Sequence, residues 1–331
     1  MSEVAILGMV GAVAGKQYIR RRLVYVSGSR SFTVQKRGKL IFRCLGAGGG
    51  GAAVRHSTTA AATGGNAGTV GVTKPIPVKQ GDTFVITIPA GGAGVRPNND
   101  GQTGGTLTIT GPGVNVSVPG GTGGKQSTDG SAVTNDANGT PTGLDWYALS
   151  ARNTAQKGKF SGGAAPALLL GKPSYPSIAA STPVGAGIGC SNNGDTPGGY
   201  NHPGGPGDSP NTTLFGVTRG GTAGVVPTDL YSACVLFVPC NGEGYVAVDS
   251  SKPSLQTQPG AGFGGNHQYT QGKEAESGGF GGGGGGASGK ATKAGDGGRG
   301  AGGGCACPEN DATSGKGGDG FVTVEIFEEE F

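Results

Sequence analysis

The sequence is poor in the residues from which most globular cores are built. Leu, Ile, Val and Phe together make up about 18% of the 331 residues, and there is one Trp. Charge is also scarce, since 25 basic and 21 acidic residues leave a net charge of +4. Intrinsic disorder usually combines low hydrophobicity with strong net charge, and only the first condition holds here. The near balance of charge gives no electrostatic reason to expect nucleic acid as a partner.

Cysteine and histidine are few as well. Six cysteines are sparse for a chain of this length, and they predict thiols more than a disulfide framework. No histidine or second cysteine pair stands at zinc spacing from Cys305 and Cys307, so we expect no metal site and no cofactor. The three histidines are far apart in the sequence and accompany no acid–base pair, so we predict no catalytic residue.

An apolar run at residues 4–14, VAILGMVGAVA, is too short to span a bilayer, and we expect no membrane insertion. Positive charges follow this run and do not precede it, an order that is not typical of a signal peptide. Exposed apolar patches usually mark interfaces, so we interpret residues 1–22 as an attachment segment. Its candidate contact residues are Ile6, Leu7, Val10, Val13, Arg20, Arg21 and Arg22.

Glycine is in excess, with 74 residues, about three times the usual share. Each glycine costs a helix about 1 kcal/mol relative to alanine, which argues against an α/β enzyme or a long coiled coil. The glycines keep no strict period of three, which excludes collagen. The runs at 46–51, 91–94, 120–124 and 275–304 are either flexible linkers or packed backbone. We favour packing because a strand follows the last run. Ordering glycine costs about 1–2 kcal/mol per residue, so we expect stacked neighbours and a homo-oligomer.

Short segments of alternating apolar and polar residues occur towards both ends of the chain. They are rich in β-branched residues and bordered by Gly or Pro, which is typical of half-buried strands. The alternating segments lie at 32–34, 40–44, 84–88, 106–110, 114–118 and 322–326, and a further segment at 23–26 is apolar throughout. Gly111-Pro112-Gly113 predicts a tight hairpin. We predict a mainly β fold, an antiparallel sheet or sandwich with packed glycine-rich loops and a long irregular insertion, and we expect the flanking strands to share one sheet.

The chain is predicted to have four parts. Residues 1–22 are the attachment segment, and 23–125 are the first part of a glycine-rich β domain. Residues 126–274 are a loop-rich insertion, and 275–331 return to the β domain with a glycine run and a closing strand. The insertion holds the single Trp and most of the tyrosines.

Aromatic residues of the insertion are the predicted receptor-binding residues. Sugar rings can stack their C–H faces on Trp and Tyr while nearby polar side chains bind the hydroxyls, and binding residues often lie on loops. The alternative is that these rings form small local cores. The candidates are Trp146, Tyr147, Tyr200, His202, His267 and Tyr269.

A succession of motifs carries a family resemblance. VQKRGKLIFRCLGAGGGGA is a strand running into a glycine cluster, and VKQGDTFVITIPAGGAG repeats that arrangement. GGTLTITG, GGFGGGGGGASG and the closing GKGGDGFVTVEI follow in order. Over about 30–125 and 275–327, this succession resembles the glycine-rich domain of tail fibres and tail-tip adhesins of tailed bacteriophages.

The resemblance implies a non-enzymatic virion protein of the phage tail, assembled in the host cytoplasm and often a trimer. Its implied partners are other tail proteins and, on the host, a surface polysaccharide or an outer-membrane protein. Two alternatives stay open. A polysaccharide-degrading tail spike would need paired carboxylates in a groove, for which Asp145, Asp229 and Glu243 are candidates. A glycine-rich cell-surface structural protein is disfavoured because no secretion signal is recognisable.

Overall fold

The computed structural model describes residues 8–10, 18–150, 152–166, 190–191, 272–278 and 281–330. The described residues form strands and no helix. The strands are β1 (Gly8–Val10), β2 (Tyr18–Val26), β3 (Arg30–Thr33), β4 (Gly38–Leu45), β5 (Ala61–Ala62), β6 (Val70–Val72), β7 (Ile76–Val78), β8 (Thr83–Thr87), β9 (Leu107–Gly111), β10 (Val114–Val118), β11 (Gln126–Ser127), β12 (Val133–Thr134), β13 (Trp146–Ala148), β14 (Thr154–Ala155), β15 (Lys159–Phe160), β16 (Cys190–Ser191), β17 (Ala287–Gly289), β18 (Ala306–Pro308) and β19 (Phe321–Glu330).

Two antiparallel sheets contain most of the longer strands. The first has the order β1-β2-β19-β4-β6-β13, with β7 also paired to β4, and the second has the order β10-β9-β8-β3. The predicted mainly β, antiparallel fold is therefore confirmed. The expectation that the flanking strands share one sheet is wrong, because strands with one apolar face need a second sheet to bury that face.

The predicted hairpin joins β9 to β10. Gly111 pairs with Val114, so Pro112 and Gly113 form the two-residue turn. Gly113 has a φ of +70°, a left-handed conformation that glycine adopts without a steric penalty. The sequence motif thus specifies this turn through its backbone geometry.

The two sheets bury one shared apolar core. Alternate residues of β4 and β19 face the second sheet, and the rings of Phe42 and Phe84 meet edge to face with their centroids 5.5 Å apart. The core residues are Val26, Phe32, Val34, Leu40, Phe42, Cys44, Val78, Phe84, Ile86, Leu107, Ile109, Val116, Val118, Val322, Val324 and Ile326. This packing makes the two sheets a β-sandwich.

Strand β19, the closing strand, lies in the middle of the first sheet. Its Val324 is opposite Val24 of β2 on one side and Phe42 of β4 on the other. On the face turned away from the core, the guanidinium of Arg43 donates to the Glu325 carboxylate at 2.7 Å, and both side chains are buried. The chain therefore completes its main sheet only with its last strand.

The glycine-rich segments form a packed bundle of extended backbone. In segment 46–54, which continues β4, backbone N–H groups three residues apart bind the same neighbouring segment as far as Ala53, and the Val54 N–H binds Ala306. Gly46, Gly49 and Ala52 donate to 63–69, Gly48 and Gly51 to 313–318, and Gly50 and Ala53 to 99–105. A repeat of three residues with outward hydrogen bonds is the geometry of a polyproline II helix.

Three further segments donate hydrogen bonds to the carbonyls of segment 46–54. Gly92 donates from 91–95, Gly121 and Gly124 from 120–125, and Gly303 and Ala306 from 300–306. Segment 46–54 is thus a central rod with six neighbours. We call the whole assembly the glycine bundle; it comprises 46–54, 63–69, 91–95, 99–105, 120–125, 161–166, 275–278, 282–287, 293–298, 300–306 and 313–318.

Close approach of backbones holds the glycine bundle together. A Cβ atom at Gly48 would overlap the carbonyl oxygen of Ala301, and one at Gly49 would overlap that of Thr122. Packed glycine, not a flexible linker, is therefore confirmed for the described segments. The neighbours that we expected from other subunits belong to the same chain, so glycine packing no longer argues for an oligomer.

Asparagine side chains close one edge of the glycine bundle. Asn153 Nδ2 donates to the carbonyls of Gly64, Gly65 and Gly162 at 3.0–3.2 Å. Asn135 Nδ2 donates to Gly64 at 2.8 Å, and Asn138 Nδ2 donates to Ala67 at 2.7 Å. These buried amides bind carbonyls of segments 63–69 and 161–166, which lie side by side at this edge.

The glycine bundle continues from one end of the β-sandwich. Segments 46–54, 91–95 and 120–125 follow β4, β8 and β10, while 63–69, 99–105 and 313–318 lead back into β6, β9 and β19. The turns between outgoing and returning segments therefore lie at the end furthest from the sandwich. We call this the distal end and define it by loops 55–60, 96–100, 126–131, 289–292 and 308–312.

We predict that Val324→Asp destabilises the fold by about 4 kcal/mol, because Val324 is fully buried and the new carboxylate would have no partner. Val85→Asp is the control, since Val85 is 47% exposed on β8, and it should cost at most about 1 kcal/mol. Urea unfolding measures both variants. A Val324→Asp protein as stable as its control contradicts the burial of β19.

Gly48→Ala should lower the free energy of unfolding by about 3 kcal/mol or more. Its methyl group would overlap the Ala301 carbonyl, so segments 46–54 and 300–306 would have to move apart. Gly28→Ala is the matched control: no atom lies within 4 Å of its Cβ position, and its cost should be near zero. Thermal unfolding of the two variants measures the difference. Equal stability would show that the rods do not pack as tightly as described.

Candidate functional site

Two of the six predicted receptor-binding residues lie among the residues that the structure describes. Trp146 and Tyr147 lie in β13, an edge strand of the first sheet, with Trp146 opposite Val72 and Tyr147 opposite Gly71 of β6. The Tyr147 side chain is 43% exposed, and Leu149 beyond the strand is 40% exposed. The candidates Tyr200, His202, His267 and Tyr269 lie outside the described residues, so the structure does not bring the aromatic set together.

The predicted attachment residues are also only partly described. Val10 lies in β1 and pairs with Ile19 of β2, and Ile6, Leu7 and Val13 lie outside the described residues. Arg20, Arg21 and Arg22 lie in β2 and are opposite Glu328, Phe327 and Ile326 of β19. The basic run is therefore paired in register with the C-terminal half of the closing strand.

A cleft lies next to β13, where the two sheets of the sandwich meet. Its volume is about 340 Å³, and its lining residues are Thr73, Lys74, Ile76, Gly113, Val114, Asn115, Gly143, Leu144 and Asp145. Lys74 and Asp145 form an exposed ion pair across it, with Nζ and Oδ1 3.7 Å apart. Ile76, Val114 and Leu144 are partly buried against the sandwich core and give the cleft an apolar floor.

The distal end is the second candidate surface. Arg55 Nη2 donates to Asp311 Oδ1 at 2.8 Å, and the Arg55 backbone N–H donates to Asn98 Oδ1 at 3.2 Å. The Glu309 N–H donates to the Gly289 carbonyl at 2.7 Å. These contacts gather exposed polar side chains from loops that are far apart in the sequence.

Two carboxylates surround Lys125 near the distal end. Asp136 and Asp100 lie 3.2 Å and 3.3 Å from its Nζ. The hydrogen bond to Asp136 is the main cause of a raised Lys125 pKa, with burial opposing it and Asp100 adding to it. The ammonium group therefore stays charged at physiological pH and links two loops.

The turn that contains Asp129 stabilises the charged form of its carboxylate. The Ser127 hydroxyl donates to Asp129 Oδ1 at 2.5 Å, and the Ser131 N–H donates to the same oxygen at 2.9 Å. These hydrogen bonds lower the pKa of Asp129 from 3.8 to about 2. The carboxylate is thus held in its charged form within a loop of the distal end.

The described cysteines are buried, and one of the alternative catalytic carboxylates is paired with a lysine. Cys44, Cys305 and Cys307 are buried and outside any disulfide, as predicted, and burial raises the pKa of Cys44. No three His, Cys, Asp or Glu side chains among the described residues are placed to hold a metal ion. Asp145, an alternative catalytic candidate, is exposed and paired with Lys74. Asp229 and Glu243 lie outside the described residues.

Sequence reasoning missed the distal end. Its side chains, such as Arg55, Asn98 and Asp311, come from short polar stretches that interrupt the glycine runs. The available signal was that these interruptions carry turn residues, for example PNND at 97–100 and PEND at 308–311. Nothing in those stretches indicates that they meet in space.

No model of a known protein family matches this chain, and no curated protein matches it either. The described residues include no helix long and apolar enough to cross a membrane.

We predict that Ser127→Ala raises the pKa of Asp129 from about 2 back towards 3.8. The Ser127 hydrogen bond stabilises the folded state only while Asp129 is charged. The native protein should therefore be more stable than the variant above pH 4, with the difference lost as the pH falls towards 2. Carboxyl ¹³C chemical shifts report the pKa, and Ser57→Ala in another distal loop is the control. An unchanged Asp129 pKa contradicts the prediction.

Proposed function

We propose that the chain is a non-enzymatic structural protein of a bacteriophage tail, a tail fibre, tail-tip or adhesin subunit that serves host attachment or tail closure. The order of strands and glycine runs over 30–125 and 275–327 is the sequence basis for this proposal. The observation that carries it is the glycine bundle, which holds five polar loops together at the distal end, away from the β-sandwich.

Strands β2 and β19 run from the glycine bundle to the opposite end of the sandwich, a polarity that suits a protein connecting one surface to another. Along β2 and β19, Val26 pairs with Val322 near the glycine bundle, and Tyr18 pairs with Glu330 at the opposite end. The segment that precedes Tyr18 therefore starts from the end furthest from the distal loops. This polarity supports attachment through residues 1–17 and recognition at surfaces further along.

The proposed partners are other tail proteins at the attachment end and a host surface polysaccharide or outer-membrane protein at the recognition surfaces. A homotrimer is the proposed assembly, and light scattering of the purified chain measures it. Neither nucleic acid nor membrane insertion is part of the proposal. The virion is the proposed location.

The location is tested by labelling phage particles with antibodies raised against the purified chain. Gold label on the tail is the expected result, and particles that contain no such protein contradict the proposal. Deleting residues 1–17 removes only β1, the edge strand of the first sheet, and leaves β2 complete from Tyr18, so it should leave a folded protein that does not enter particles. Deleting 1–22 would remove part of β2 and confuse attachment with folding.

Attachment is tested with particles carrying Tyr147→Ala or Tyr200→Ala. Loss of an aromatic anchor typically costs about 2 kcal/mol, so adsorption should fall roughly thirtyfold while assembly is unchanged. Val85→Ala removes an exposed apolar side chain from the other sheet and is the matched control. Normal adsorption by both tyrosine variants, in particles that contain the protein, would leave tail closure as the role.

A further inference from the structure

The cleft beside Tyr147 has the features of a small-ligand site. Ligand pockets of about 300 Å³ and larger usually combine apolar walls with a few placed polar groups. Here Ile76, Val114 and Leu144 supply the apolar floor, while Asn115 and the Lys74–Asp145 pair supply donors and acceptors at the rim.

The backbone keeps this cleft open. Gly113, at the β9–β10 turn, has no atom within 4 Å of its Cβ position, and Gly143 could not carry a Cβ without overlapping the Asn115 carbonyl. Both glycines have positive φ, at +70° and +74°. The segment 142–145 is fixed on both sides, since Thr142 exchanges hydrogen bonds with Ser117 and the Asp145 N–H donates to the Val72 carbonyl at 2.8 Å.

The charges of the lining residues indicate what kind of ligand fits. Lys74 is the cation and Asp145 the anion of the lining set, and their pairing leaves the cleft without net charge. A charged ligand would have to break this pair, whereas a neutral one can bind to both groups. A carboxylate, an ammonium group and an amide on one rim can bind several hydroxyls, and the apolar floor suits the C–H face of a pyranose ring.

We propose that this cleft binds a neutral disaccharide unit of a surface polysaccharide, built from hexoses or N-acetylhexosamines. The identification of that polysaccharide with the host surface rests on the proposed function. Asp145 and Asn115 bind sugar hydroxyls, Lys74 donates to a ring or hydroxyl oxygen, and the exposed Tyr147 ring flanks the next sugar of the chain.

The inference is tested on the purified full-length chain with a panel of neutral hexose and N-acetylhexosamine disaccharides, and with sialyllactose as an acidic comparison. In the unmutated protein, the methyl NMR signals of Ile76, Val114 and Leu144 should shift on addition of a neutral disaccharide, while that of Val54 inside the glycine bundle should not. If no disaccharide moves the three signals, or only sialyllactose does, the inference is wrong.

Two variants then assign the binding to the cleft. Asp145→Ala removes a hydroxyl acceptor, and Asn115→Trp fills the opening. Each should weaken the dissociation constant at least tenfold. Val85→Trp adds the same ring to the second sheet away from the cleft and should leave affinity unchanged. Undiminished affinity in both cleft variants, with native thermal stability, overturns the assignment.

Failure of this inference is distinguishable from failure of the proposed function. A chain that labels the phage tail but binds no disaccharide keeps the function and overturns the site. Disaccharide binding that both cleft variants abolish, by a chain absent from the tail, supports the site and contradicts the function.

Discussion

The close approach of backbones within the glycine bundle is the constraint on which the rest of the structure depends. Ordering an extended residue costs about 1–2 kcal/mol of conformational entropy, and glycine has no side chain whose burial could offset this cost. Peptide hydrogen bonds and backbone contacts with several neighbours must supply the compensation. Segment 46–54 has six such neighbours, and a Cβ at Gly48, Gly49 or Gly50 would overlap carbonyl groups of three different ones.

The same constraint explains why the threefold geometry is invisible in the sequence. In collagen, one residue in three faces the crowded axis, so glycine recurs with that period. Here segment 46–54 meets neighbouring segments on every side, so small residues are needed at every position and not at one in three; residues 46–53 are all Gly or Ala. Gly49, Gly50 and Gly51 face different neighbours in succession, and each needs to be small. The pattern that results is a run of glycine with no period, which sequence alone does not distinguish from a linker.

The β-sandwich was more accessible to sequence reasoning because its signal lies in side chains. Alternation in 40–44 and 322–326 predicts strands and identifies the buried positions Phe42 and Val324. Alternation does not say which strands share a sheet, since that depends on pairings such as β4 with β19, nearly the whole chain apart. The buried Arg43–Glu325 ion pair and the Asn135 and Asn153 amides were likewise unpredictable, because polar residues are assigned to surfaces unless a partner is known.

For the candidate site, sequence indicated Trp146 and Tyr147 but not the cleft or the distal end, because residues that are distant in sequence form both.

The sandwich and the glycine bundle divide two physical tasks between them. The sandwich supplies the apolar core that a glycine-rich chain otherwise lacks, and its strands fix the starting points and directions of six rods. The outgoing segments leave the sandwich at the same end at which the returning segments re-enter it, so the turns between them lie at the distal end. A larger side chain inside the glycine bundle would collide with neighbouring backbone. The side chains of Asn98, Lys290 and Glu309, in the distal loops, are exposed to solvent. In a fold of this kind, the side chains of the distal loops can change without altering the packing, because the residues that stabilise the fold are not the residues that form the distal surface.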